Sequence, residues 1–159
     1  MKTLYLSLLA GMIFSCGSKP EMTEQEARAQ VLQLHHAQRD YHFNKDSIAF
    51  AGQMSENFIS INRGEITTPT REATISRYNG YFSSVEFVSW DDVTEPVIRF
   101  SDDLSLAYTV VDKVVRVKYQ DENGVEQEGE THFAWTAIYR RKGENWKLEC
   151  VTSTNQPDE

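Results

Sequence analysis

LSLAYTVVDKVVRVKY (residues 104–119), DENG (121–124) and QEGETHFAWTAIYRR (127–141) follow one another almost without a gap. The first run is dense in valine, whose branched side chain suits a pleated surface better than a helix interior. Asn123-Gly124 is a hairpin signal, because tight two-strand turns need residues that tolerate positive φ. The third run alternates. Phe133, Trp135, Ala137 and Tyr139 fall on one face, and His132, Ala134, Thr136 and Ile138 on the other. The aromatic set is read as the inward one. Two long antiparallel strands are therefore predicted here.

Working outward, Gly143-Glu144-Asn145 is a second turn, and Trp146 to Thr154 a closing strand. On the other side, Val85 to Phe100 reads as one long extended segment that Pro96 bends or places at an edge. Ser101-Asp102-Asp103 turns it into the valine-rich strand.

Before residue 85 the apolar period changes from 2 to 3.6. Thr23-Glu24-Gln25-Glu26 reads as a capping box. The helix it starts is predicted to run to about Phe43, with Ala27, Val31, Leu34, Gln38 and Tyr41 on one face. Asp46 can cap a second short helix through Met54. Phe58 to Ile61 is a short strand, and Asn62-Arg63-Gly64-Glu65 its turn. Thr68-Pro69 is read as the start of a third helix to about Phe82, with proline tolerated in the first turn. Three helices followed by an antiparallel meander give an α+β plan, with the helices against one sheet face.

The first residues address location. Lys2 precedes an apolar stretch, Leu4 to Phe14, that is too short for a bilayer span of ~20 residues but suits a secretory signal. Ile13-Phe14-Ser15-Cys16 resembles a bacterial lipobox. The resemblance implies a signal peptide over 1–15, cleavage before Cys16 and lipid on that cysteine. Several acyl chains anchor durably. Residues 16–22 then form a tether of at most ~20 Å, and the domain occupies 23–156. Gly17 after the cysteine favours the outer membrane of a bacterial envelope.

The formal net charge is −8, which disfavours a phosphate backbone as partner, so nucleic acid is not expected. With Cys16 lipidated, Cys150 has no disulfide partner and is read as a small buried residue.

The helix end Tyr41-His42-Phe43-Asn44-Lys45-Asp46, the strand Asn57-Phe58-Ile59-Ser60-Ile61 with Gly64, the stretch Arg71-Glu72 to Tyr78, and the late segments Tyr139 to Gly143 and Trp146-Lys147-Leu148 occur in a telling order. Together they resemble the nuclear transport factor 2-like superfamily. This is the cone fold of ketosteroid isomerases and SnoaL-like polyketide cyclases: three N-terminal helices packed on a strongly curved antiparallel sheet. The fold serves enzymes, binding modules and oligomerisation hubs alike. Isomerases of the family use a carboxylate base, a tyrosine donor and a protonated acid. The matching positions here carry Asn62, Gln38 and Trp135. Asparagine cannot take a proton at neutral pH, so that chemistry is not expected.

What remains is an aromatic pocket of Gln38, Tyr41, His42, Asn62, Tyr78, Phe82, Trp135 and Tyr139, suited to a small apolar ligand, or else aromatics that fill the cone. His42 and Tyr78 are the catalytic candidates. His35, His36, His42 and Asp46 do not make a zinc set; His35 is read as pointing partly away from the core. No cofactor is expected. Lys113, Arg116, Lys118, Glu126, Glu128 and Glu130 read as cross-strand pairs on a solvated face. Three readings follow: a lipid-anchored binding domain, a SnoaL-like enzyme on a small apolar substrate, or an interaction module that forms homodimers through its open sheet face.

Overall fold

A computed structural model describes residues 22–156. The signal segment, Cys16 and most of the tether lie outside the described residues. Thr23 caps α1 (Glu24–Phe43) in a full capping box: its hydroxyl accepts from Glu26 N–H, and Glu26 accepts from Thr23 N–H at 2.8 Å. The Asp46 carboxylate accepts from Ala49 N–H at 2.8 Å and starts α2 (Ser47–Gly52). β1 (Met54–Asn62) and β2 (Glu65–Thr67) form a small hairpin. Arg63 and Gly64 are its two central residues, with φ of 50° and 80°. Positive φ at both positions matches the right-handed strand twist of a tight hairpin.

α3 spans Arg71–Ser84. It starts later than Thr68-Pro69 suggests, because the Thr70 hydroxyl supplies the cap, accepting from Ala73 N–H at 3.1 Å. The long extended segment after it is two strands, β3 (Val85–Asp92) and β4 (Val97–Phe100), separated around Pro96. Both pair with β5 (Leu106–Gln120), which continues into β6 (Glu126–Lys142) and β7 (Asn145–Asn155).

The seven strands form one curved, unclosed sheet in the order β2-β1-β7-β6-β5-β3, with β4 beside β3 on β5. It is antiparallel except at one seam: β1 pairs parallel with β7, Ile59 opposite Cys150. The expected antiparallel meander is present from β3 to β7, and the seam with β1 joins it in parallel. Parallel neighbours need a long crossover, and everything from β2 to β6 supplies it. Irregular register between Phe87 and Ser89 and between Ile138 and Tyr139 bends the long strands. That curvature makes a concave face, and the helices close over it.

Two apolar clusters fill the space. One joins Ala27 and Val31 of α1 to Phe58, Tyr139, Trp146 and Leu148. The other joins Phe82 of α3 to Phe87, Trp90 and Val115, and Trp135 packs against both. Cys150 is half-buried rather than enclosed.

The buried face of α1 is Ala27, Val31, His35, Gln38 and His42. The helix is thus rotated from the expected face, and Leu34 and Tyr41 sit only half-buried at its margin. His35, expected to point partly outward, is 1% exposed. Lys113 also differs from the solvated reading and is likewise buried. The two histidine and lysine assignments fail for one reason: both side chains meet Asp92.

Candidate functional site

The concave face and the helices enclose a cavity of about 580 Å³. β6 contributes Phe133, Trp135 and Ala137, the inward side of its alternation; β3 contributes Trp90 and β5 Val115 and Val117. Gln38 and His42 reach it from α1, and Thr74, Tyr78 and Tyr81 from α3. The walls are chiefly apolar, and none of the lining residues is an aspartate or glutamate.

Of the residues singled out in the sequence, Gln38, His42, Asn62, Tyr78 and Trp135 line this space together. Three do not. Phe82 and Tyr139 are each 1% exposed and belong to the packed clusters behind it, and Tyr41 sits half-buried at the margin of α1, outside the lining. Burial pushes the Tyr139 phenol well up, against the pull of the Thr109 and Gln38 side chains.

His42 sits in an aromatic cage. Its ring is 4.7 Å from that of Trp90, 5.0 Å from Phe82, and 5.2 Å from both Phe50 and Phe87. Its Nδ1 lies 2.6 Å from the carbonyl oxygen of Gln38. A carbonyl only accepts, so Nδ1 carries the proton and Nε2 the lone pair. Burial drives the imidazolium form down to about 4; the bond to Gln38 opposes this, and the Lys113 charge adds to it. At neutral pH His42 is an uncharged ring. Burial also raises the Tyr78 phenol, so Tyr78 stays protonated there.

Behind the Trp90 wall lies a charged cluster that sequence reasoning missed. Asp92 accepts from His35 Nε2 at 2.8 Å through one oxygen, and its other oxygen lies 2.7 Å from Lys113 Nζ. The latter contact is an ion pair rather than a well-aligned hydrogen bond. Burial raises the Asp92 carboxyl, but its contacts with His35 and Lys113 outweigh it and hold Asp92 below the ordinary range. Burial lowers the Lys113 ammonium in spite of Asp92. The signal available in the sequence was a lysine on a valine-rich strand, at a position in phase with inward Val111 and Val115. None of the three lines the cavity.

Among the described residues no three histidine, cysteine, aspartate or glutamate side chains converge as a metal set. Asp46 is occupied as a helix cap.

The geometry of three helices over a curved seven-stranded sheet is shared with several solved structures. One is a nuclear transport factor 2-like (NTF2-like) protein from Cytophaga hutchinsonii, with TM-score 0.65, 15% identity, and coverage of 85% of this chain and 100% of the other. This is the nuclear transport factor 2-like fold. A proposed dehydratase of the NTF2-like family from Streptomyces avermitilis matches with TM-score 0.68 at 11% identity, covering 84% and 99% of the two chains. A proposed calcium/calmodulin-dependent kinase II association domain from Exiguobacterium sibiricum matches with TM-score 0.66 at 14% identity, covering 90% and 100%. At these identities the likeness shows the nuclear transport factor 2-like fold and nothing of its use. No family model matches the chain, and no curated protein does.

Proposed function

We propose that this chain is a lipid-anchored envelope protein whose cone cavity takes up a small apolar molecule. The observation that carries the reading is the cavity itself. Its volume of about 580 Å³ falls within the 300–1,000 Å³ common to small-molecule sites. Its walls are chiefly aromatic and aliphatic, with polar side chains such as Gln38, His42, Thr74 and Thr131 set among them. Anchoring at Cys16, and through it residence at the outer membrane, rests on the lipobox-like Ile13-Phe14-Ser15-Cys16.

Binding is favoured over acid–base catalysis. The cavity wall has no carboxylate, His42 is held near 4, and Tyr78 is pushed up, so neither exchanges a proton readily at neutral pH. Native mass spectrometry of the gently purified protein tests the reading. A co-purifying organic molecule, lost on mild activation, is the expected result. A spectrum of bare protein that stays bare after incubation with apolar compounds would refute it.

A second reading concerns the outer sheet face. Tyr108 pairs with Ile138, and Val97 with Val110, and all four are exposed. Such a patch suits a homodimer. The same spectrum reports it, as a doubled protein mass.

A further inference from the structure

A second, more polar basin of about 310 Å³ opens beside the cavity and shares Ser60, Asn62, Arg63 and Arg77 with it. Arg63 and Arg77 are exposed, so this is where the apolar cavity meets solvent. Neither arginine has an ion pair among the described residues; Arg77 has only the Tyr78 ring 6.0 Å away. In a chain of net charge −8, Arg28, Arg39, Arg116 and Arg140 are each paired to a carboxylate, whereas Arg63 and Arg77 bring two unpaired guanidiniums together at one opening.

Arg63 carries a second mark. It holds a left-handed backbone, φ 50°, at the hairpin position where asparagine is at ease and a long side chain is not. Strain of this kind persists where something else selects the residue. Glu65 shares the basin, so two cations face one anion there, leaving a single net positive charge.

We propose that the cavity's ligand is an apolar organic carboxylate, its tail among the aromatic walls and its head held at the mouth by Arg63 and Arg77. The proposal rests on the cavity reading above. Guanidinium presents paired donors that match a planar carboxylate, and Ser60 and Asn62 stand beside it with further polar groups. The single net charge suits a monoanion better than a phosphate dianion, which Glu65 would repel.

The test is calorimetric titration of the full chain with 1-naphthoate and, separately, 1-naphthalenemethanol, which keeps the ring and lacks the charge. Naphthoate is expected to bind more tightly, by roughly fivefold for each arginine engaged, with the gap narrowing at high salt. Arg77→Gln and Arg63→Asn are each expected to cost naphthoate about fivefold more than they cost the alcohol. Arg63→Asn keeps a residue suited to the turn, so its fold is secure. Equal affinity for the two ligands overturns the carboxylate inference and leaves the cavity reading standing. A naphthoate preference that survives both substitutions also overturns it. Binding of neither ligand overturns the cavity reading and the inference with it.

Discussion

Lys113 Nζ lies 3.5 Å from the ring centroid of Trp90, so the ammonium is stacked on the back of a residue whose front lines the cavity. Asp92 holds that ammonium in place, and His35 holds Asp92. A buried cation thus sets the position of one cavity wall.

Removing that cation should be costly. Lys113→Met leaves the Asp92 carboxylate with His35 alone, and breaking a buried pair from one side costs about 3 kcal/mol. Asp92→Asn made in addition should restore part of the loss, because no bare charge then remains. Urea unfolding of the two single variants and the double variant gives the coupling. Simple additivity would show that the two groups do not act as a pair.

Stability should fall on mild acidification. The folded His42 titrates near 4, below its ordinary 6.5, so its contribution is full above pH 6.5 and is lost between pH 6.5 and about 4, while only the unfolded chain takes up the proton. The size is ~3 kcal/mol at most. Asp92, also held low, adds a further loss in the same direction as pH falls below its ordinary 3.8. His42→Gln should flatten the upper part of this profile in urea midpoints measured from pH 7.5 downward.

The hairpin at the cavity mouth should gain from losing its arginine. Arg63→Asn relaxes a left-handed residue and should raise stability by roughly 0.5–1 kcal/mol. Gly64→Ala, at φ 80°, should lower it by about 1 kcal/mol. Thermal unfolding of both variants reads this. A destabilised Arg63→Asn would mean that the arginine side chain supports the turn itself.

The exposed pairs Arg116–Glu130 and Lys118–Glu126 should matter little, since solvent screens both. Glu130→Gln is expected to leave the urea midpoint unmoved within error, at low and at high salt.

Local features were legible in the sequence. Thr23 and Glu26 cap within one turn, Asp46 caps its own helix, and the alternation from Phe133 to Tyr139 survives into the sheet because a strand's period does not depend on its partners. Features set by distant partners were not. His35 and Asp92 are 57 positions apart, so no local pattern marks His35 as buried or Tyr41 as marginal. The parallel seam of β1 on β7 is equally non-local. Phe82 and Tyr139, candidates for the pocket or for filling the cone, pack in the apolar clusters, because facing the core and facing the cavity differ by one layer of side chains.

A cone open to a small apolar molecule should close when its wall is filled. Ala137 is a small residue of the cavity lining, between Trp135 and Tyr139 along β6. The check is calorimetric titration of 1-naphthalenemethanol into the wild-type protein and into Ala137→Phe, with the fold of both verified by circular dichroism. Binding to the wild type that is lost in the folded filled variant is the predicted result. No heat of binding in the wild type, or equal binding to both, would contradict it.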